Sequence, residues 1–437
     1  MDKYARFRYQ PCIPMGADGR KLTGSPEHTA LSRKAAGEGM VLLKNDDNAL
    51  PLKKDEKVAL FGKATIEYIK GGGGSGDVFC AYTHNIYDGF AQKEKEGKIS
   101  VYMPTVDFYK EYVKKESRKI PTRAEIEKTW DIVNAMDFCQ KKDDIVYDTF
   151  ASMHVVEAEA PDEIISAAAE NADTAIITLS RFSAEGVDRR AISGDYYLSD
   201  AEKSLIDRVS AAFKKTIVVL NSGGVVDCEH FAENDKVQGI LCGWQGGMEG
   251  GMAVADILCG DVNPSGKLGD TIPKSYDCYE NGKMFQTGYE HLDYEDDIYV
   301  GYRYFETIPG AAEKVRYPFG FGLSYTDFEM SGAFCGESEG KIVAVVTVKN
   351  IGKVSGKEVV QLYYSAPQGK LGKPSKELAA FAKTKLLAPG ESQTVALSFD
   401  INDMASFDDL GKIQKSAFVL EKGTYKFSLG NSVRNTR

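Results

Sequence analysis

From Pro161 to Leu241 the chain alternates between two hydrophobic periods, and that alternation leaves few architectures open. Helix-forming composition over Pro161 to Ala172 leads into an apolar β-branched run, Thr174 to Leu179. A charged loop follows, holding Arg181, Glu185, Asp188, Arg189 and Arg190. The next helix is expected over Asp200 to Lys214, opened by the Ser199 to Glu202 spacing of a capping box. It places Ala201, Leu205, Val209 and Ala212 on one face at intervals of three and four. Short strands are read at Thr216 to Leu220 and Val237 to Leu241. Strands separated by helices imply a mostly parallel sheet covered on both faces, with ligands expected outside the carboxyl ends of the strands.

The charged loop sits at such a strand end. Glu185 lies between the small residues Ala184 and Gly186, so its carboxyl group could meet a ligand without crowding from its neighbours. It is the leading candidate for a general acid/base. The same composition also fits a solvated loop whose charges pair among themselves.

Earlier in the chain, Lys70 to Val78 reads KGGGGSGDV. Successive glycines let the main chain approach a ligand closely, and Ser75 could present its hydroxyl from a tight loop. Gly73, Gly74 and Ser75, with Arg189 of the charged loop, are the substrate-binding candidates. Gly71, Gly73 and Gly76 formally match a dinucleotide fingerprint, but a polar and aromatic segment separates them from the preceding strand, Val58 to Phe61. No Lys-Ser/Thr ending follows, as a phosphate loop would need. A plain flexible turn is the remaining alternative.

The rest of the chain supplies organisation. Helical composition covers His28 to Met40, Ala91 to Gly97 and Thr122 to Asp137. A Gly-rich turn from Gly243 feeds a helix containing Met252, Ala255, Ile257 and Leu258. Trp244 fits either a sugar face or ordinary packing at a strand end. Tyr276 to Tyr325 is aromatic and charged, a composition that suits a wrapping linker better than a regular element. Its acidic run, Glu295 to Asp297, lacks calcium-loop spacing and reads as a solvated face or a partner for Arg303. From Asp327 the apolar period becomes two: Ile342 to Val348, Val360 to Tyr364, Val395 to Phe399 and Tyr425 to Leu429. Short strands between turns indicate an all-β sandwich. The expected division is an α/β domain over 1–274, a linker over 275–326 and a β-sandwich over 327–437.

A chain of 437 residues accommodates two or three domains. Its formal net charge of -10 opposes nucleic-acid binding, which needs a positive field. No apolar run is long enough to span a bilayer, and the N-terminus, MDKYARFRYQPC, lacks the apolar core of a secretory signal. A cytoplasmic location is therefore expected. Eight dispersed cysteines without zinc spacing read as reduced thiols, and neither a metal nor a cofactor is expected.

Taken in order, AAGEGMVLLKNDDNALPL (Ala35 to Leu52), KGGGGSGDV, SRFSAEGVDR followed by GDYYLSDAE (Ser180 to Glu202), WQGGMEGG to NPSGKL (Trp244 to Leu268) and YVGYRYFET to YPFGFGLSYT (Tyr299 to Thr326) resemble glycoside hydrolase family 3, chiefly β-glucosidases. The resemblance runs from about Thr29 to Asn431. It implies a mostly parallel six-stranded α/β sandwich followed by a fibronectin type III-like domain. It also implies that Glu185 is the acid/base and that Ser75 contacts sugar. The family's nucleophile is an Asp on a (β/α)8 barrel, in a Ser-Asp-Trp-type segment, and the barrel adds a Lys-His pair. Neither motif occurs in these 437 residues. The opening on the sandwich at Met1 resembles members of reversed order, so the expected partner is a barrel domain beyond Arg437.

The function so implied is the non-barrel portion of a retaining, exo-acting β-glycosidase, taking a β-linked glucoside or xyloside and inactive alone. A stand-alone carbohydrate-binding or scaffold protein is the alternative from another class, and a nucleotide-binding α/β protein is a third. A homo-oligomer is compatible with any of them.

Overall fold

The computed structural model describes residues 24–73, 80, 82–137, 139–183, 185, 188–282 and 293–437. Helix α1, Pro26–Gly39, is capped by the Ser25 hydroxyl and leads into strand β1, Val41–Asn45. Strand β2, Glu56–Phe61, is followed by α2, Ile86–Lys95, and β3, Ile99–Val101. Helices α3, Met103–Glu116, α4, Arg123–Asn134, α5, Gln140–Ala151, and α6, Asp162–Asn171, then precede β4, Thr174–Arg181. After β4 come α7, Asp200–Ala212, β5, Thr216–Ser222, the short α8, Glu229–Ala232, β6, Val237–Cys242, and α9, Gly250–Leu258.

Six of these strands form one sheet in the order β1-β6-β5-β4-β2-β3. β3, β2, β4, β5 and β6 pair in parallel, and β1 closes one edge antiparallel to β6. Sequence period explains the two-sided burial. In β2, Ala59 and Phe61 enter one core with Tyr109 of α3 and Leu205, Ile206 and Val209 of α7. Val58 and Leu60 enter the other with Ile86 and Phe90 of α2 and Val254, Ile257 and Leu258 of α9. Strands buried on both faces read as continuous apolar runs, as β4 does. The buried face of α7 is rotated from the expected one: Leu205, Ile206 and Val209 are buried, whereas Ala212 is exposed.

The chain builds outward from β2 to β3 and then returns to add β4, β5 and β6 on the other side of β2. The crevice between β2 and β4 is thus the topological switch point of the sheet. Gly62, at φ +90°, carries the chain off β2 there, and a β-carbon on it would collide with the Thr178 carbonyl of β4.

The 275–326 segment holds more regular structure than its composition suggested. Helix α10, Tyr302–Thr307, and β8, Val315–Tyr317, lie within it, and β8 pairs with β7, Ile272–Pro273. Tyr304, Phe305, Ala311 and Val315 form a small core of their own. Arg303 pairs with Glu377 at 3.2 Å, and Asp296 of the acidic run accepts from the Asn281 side-chain amide at 2.7 Å.

The C-terminal sandwich has two three-stranded sheets. One is β13-β10-β9, from β9, Phe328–Ser338, β10, Lys341–Asn350, and β13, Ser392–Asp400. The other is β12-β11-β16, from β11, Val359–Ser365, β12, Glu377–Lys383, and β16, Lys426–Gly430. A hairpin of β14, Ser406–Asp408, and β15, Ala417–Val419, stands apart. The alternating Ile342, Ala344, Val346 and Val348 face the sandwich core, as their period of two requires. The sandwich meets the α/β domain through Lys267 and Glu358 at 2.8 Å, and through Lys383, which reaches Glu38 at 3.0 Å and Ser265 at 3.1 Å.

Where β4 ends, Nη1 and Nη2 of Arg181 donate to the two carboxylate oxygens of Glu202 at 2.5 and 2.8 Å, with both side chains about 5% exposed. Removing one member of such a pair strands a buried charge, so Arg181→Met should lower unfolding free energy by about 3–5 kcal/mol. Denaturant titration checks this against Arg208→Met, whose partner Asp162 is exposed and whose loss should cost at most about 1 kcal/mol.

Candidate active site

The loop after β4 is held from beneath. Glu202 occupies the third position of α7 and completes the capping box with Ser199: its carboxylate accepts the Ser199 amide at 2.8 Å, and the Ser199 hydroxyl accepts the Glu202 amide at 3.3 Å. A negative charge at a helix N-terminus is favourable in its own right, so the carboxylate that anchors Arg181 also starts the helix. The Arg181 Nε–H reaches the Asp195 carbonyl as well.

Asp195 is the second anchor. It accepts from the Arg189 Nε–H, from the Arg190 backbone N–H at 2.6 Å and from the Tyr147 hydroxyl at 2.9 Å. Arg189 also donates to the Ser222 hydroxyl at 3.2 Å, tying the loop to the end of β5. Arg190 extends to Asp144 at 2.9 Å and lies over the Tyr147 ring. The three arginines that composition placed beside Glu185 are therefore paired with Glu202, Asp195 and Asp144. Arg189, expected to bind substrate, is engaged in holding the loop.

The Gly-rich segment comes to the same place. The Gly73 amide donates to the Ser183 carbonyl at 2.9 Å, and the Glu185 amide donates to the Gly73 carbonyl at 3.3 Å. Gly73 and Glu185 are thus joined backbone to backbone, with the Glu185 side chain exposed. Gly74 and Ser75 lie outside the described residues.

The approach to this rung is fixed by a residue the sequence reading did not single out. The buried Asn221 side chain, at the end of β5, accepts from the Ile69 amide at 2.7 Å and donates to the carbonyls of Ile69 and Trp244, each at 2.8 Å. Trp244 has φ +50° and donates its indole N–H to the Gly39 carbonyl at 3.1 Å, so it packs at the strand end. Gln245 follows, with its side-chain carbonyl 2.7 Å from where a β-carbon on Gly223 would lie; its amide nitrogen is buried and has no partner among the described residues. Nothing short of the fold would have marked Asn221 or Gln245, because the groups they meet are far away in sequence.

Behind the loop, Glu157 turns its carboxylate to the backbone amides of Lys63, at 3.1 Å, and Ala158, at 2.9 Å. Burial nonetheless pushes this carboxyl up to about 7, against the two amides and the Lys63 charge that favour its ionised form. The described residues contain no cluster of three or more His, Cys, Asp or Glu side chains able to hold a metal ion, and their seven cysteines are all unpaired thiols.

A mostly parallel sheet with a carboxylate-bearing loop at the end of the interior strand β4, joined to a β-sandwich, defines an α/β protein with an appended all-β domain. Comparison with known proteins narrows this to one family. Residues 40–325 match the glycosyl hydrolase family 3 C-terminal domain, and residues 358–433 match a fibronectin type III-like domain. The chain is 47% identical to β-glucosidase A of Butyrivibrio fibrisolvens over its whole length, covering 53% of that protein. A β-glucosidase of Ruminococcus albus is 36% identical over 94% of the chain and 40% of its own length. Among solved structures, a Paenibacillus barengoltzii β-glucosidase superposes with a TM-score of 0.81 at 38% identity, over 94% of this chain and 42% of that one. β-Glucosidase 3B of Thermotoga neapolitana, solved with glucose, gives 0.80 at 37% identity, over 94% and 53%. The chain belongs to glycosyl hydrolase family 3, and it spans about half the length of the curated relatives it matches.

The Glu157 carboxyl gives the site a measurable pH signature. Folding raises its affinity for a proton from the ordinary carboxyl value of 4.5 to about 7, so the folded protein binds this proton more tightly than the unfolded chain. Its contribution to stability is fully present below about pH 4.5, falls as pH rises through 7 and is flat above. Relative to Glu157→Gln, the wild type should lose at most about 3 kcal/mol between pH 4.5 and 8 in denaturant titrations. Parallel pH curves for the two proteins would contradict the assignment.

Proposed function

We propose that the chain is the non-barrel portion of a retaining, exo-acting β-glycosidase of β-glucosidase type, and that Glu185 is its general acid/base. The observation that carries this reading is the backbone rung between Gly73 and Glu185, which brings the Gly-rich loop and the carboxylate to one strand end. The family and the β-glucosidases among its relatives support it.

In this reading the protonated Glu185 carboxyl donates its proton to the glycosidic oxygen while a carboxylate on the opposite face of the sugar attacks the anomeric carbon. The leaving alcohol departs with that proton. Glu185, now ionised, takes a proton from water as the water displaces the enzyme carboxylate. Exposure of Glu185 suits this exchange, since the group must meet both a leaving group and water. The Gly73 main chain, with Gly74 and Ser75 following it, lies against the sugar, and Ser75 contributes one hydroxyl contact. Arg189 serves the site by fixing the loop through Asp195 and Ser222. The nucleophile comes from the remainder of the enzyme, because no Ser-Asp-Trp segment occurs in these 437 residues.

Glu185→Ala in the complete enzyme should slow glycosides with poor leaving groups by about a hundredfold or more while sparing activated aryl glycosides. Azide should restore part of the rate. Equal losses on both substrate types, without rescue, would remove Glu185 from the role. The 437-residue chain alone should release no aryl alcohol from aryl β-glucosides or β-xylosides, and turnover by it, abolished by a mutation within it, would place a nucleophile in this half.

A further inference from the structure

The turn that opens α9, Gly246 to Gly251, meets the Gly-rich loop at both ends: the end that enters it, Tyr68 to Lys70, and the end that leaves it, Tyr82 to His84. We propose that Glu249 of this turn is a positioning residue for sugar binding, acting through the Gly-rich loop that the turn clamps. The inference rests on the reading in which the Gly73 main chain lies against the sugar, and it adds the group that holds the far end of that loop.

Backbone bonds make the clamp. On the entering side the Gly247 amide donates to the Lys70 carbonyl at 2.8 Å, and the Gly246 amide donates to the Tyr68 hydroxyl at 2.9 Å. Lys70 leads directly into Gly71, Gly72 and Gly73, so these bonds, with those of Asn221 to Ile69, set the point from which Gly73 reaches Glu185. On the leaving side the His84 amide donates to the Met248 carbonyl at 2.9 Å, and the Gly251 amide donates to the His84 carbonyl at 3.2 Å. The glycines of the turn answer to the same contacts. A β-carbon on Gly250 would collide with the Tyr68 hydroxyl, and one on Gly251 with the Asn85 carbonyl.

Glu249 supplies the side-chain contact. It is 3% exposed, and a carboxylate so buried is costly unless hydrogen-bond donors answer it. Both donors come from the leaving end of the loop. Nδ1 of His84 lies 3.1 Å from its Oε1, and a hydrogen bond to the same carboxylate raises the pKa of the Tyr82 hydroxyl above the usual phenol value. The two rings lie against each other with centroids 4.7 Å apart. Glu249 also immediately precedes α9, Gly250–Leu258, where a negative charge is favoured by the helix dipole.

A residue buried in this way reaches the sugar only through the loop it holds. Fixing both ends of a loop to one turn removes conformational freedom before the ligand arrives, which lessens the ordering cost of binding. That gain is the same for the bound sugar and for its transition state, so it belongs to affinity and not to the chemical step. Proton transfer depends on a different set of anchors, since the Glu185 loop is held by Arg181 with Glu202 and by Arg189 with Asp195. Loss of Glu249 should therefore weaken sugar binding and leave the acid/base in working order.

The test is steady-state kinetics of the complete enzyme on aryl β-glucosides, with glucose as a product inhibitor. Glu249→Ala should raise KM and the glucose inhibition constant together, by about threefold or more, with kcat within about twofold of wild type. The ratio of rates on poor and activated leaving groups should stay as in wild type. Glu249→Gln, which keeps an acceptor oxygen, should recover part of the loss. His84→Ala and Tyr82→Phe change side chains that are partly exposed, so they carry the test if Glu249→Ala fails to fold, and both should shift KM in the same direction. Unchanged KM and glucose inhibition in the folded variants, even with a lowered thermal midpoint, overturn the proposal by leaving Glu249 a purely structural role. A loss confined to kcat that grows for poorer leaving groups also overturns it, by assigning Glu249 to the support of Glu185. Ser75→Ala separates this failure from that of the sugar-loop reading: no effect there removes the reading and the inference with it, whereas weakened binding there beside unchanged Glu249→Ala removes the inference alone.

Discussion

The bidentate pair of Arg181 with Glu202 governs the geometry of everything at the end of β4. Two buried opposite charges are costly to desolvate and are retained only when further hydrogen bonds complete them. Here they are completed from both directions. Arg181 reaches the Asp195 and Ser180 carbonyls, and Glu202 takes the Ser199 amide. One ion pair therefore fixes where β4 stops, where α7 begins and how the intervening loop returns. Asp195 repeats the arrangement one layer out, binding Arg189, the Arg190 amide and Tyr147, and with the Arg190–Asp144 pair this couples α5 to the same loop.

Local signals in the sequence were legible in proportion to how few residues they involve. The capping box at Ser199 and Glu202 spans four residues and appears as read. The parallel strands β2, β4, β5 and β6 were legible because burial on both faces leaves an apolar run. β1 was not read as a strand, since VLLKN is apolar for three residues and then polar, and its pairing partner is nearly two hundred residues away in β6. β9 and β12 escaped for a different reason: β9 is mostly exposed and β12 mostly half-buried, so neither shows a clean alternation.

The site followed the same rule. Glu185 and the Gly-rich segment stood out by composition as candidates, and their contact through Gly73 came only from the fold. The clustering of carboxylates and guanidinium groups around Glu185 was visible, but its meaning was not. Arg181, Arg189 and Arg190 find partners 6 to 46 residues away, and no spacing rule links an arginine on one loop to Asp144 on α5. Asn221 shows the limit most plainly. A single amide at the end of a strand reads as a turn residue, yet it clasps two other segments, at Ile69 and Trp244.

Rigidity around the loop and exposure of its carboxylate are complementary requirements. An acid/base must hold its position to within a fraction of an ångström and still reach a substrate and a water molecule. A carboxylate on a strand would satisfy the first demand and be buried by the flanking helices; one on a free loop would satisfy only the second. At the end of β4 the protein separates the tasks. Arg181, Asp195 and Arg189 take up the positional constraint with side chains that are largely removed from water, and the Gly73 rung adds a backbone constraint on the open side. Glu185 itself is exposed beyond these anchors. The acid/base role proposed for Glu185 depends on this division, in which paired side chains hold the loop and an exposed carboxyl is left at its surface.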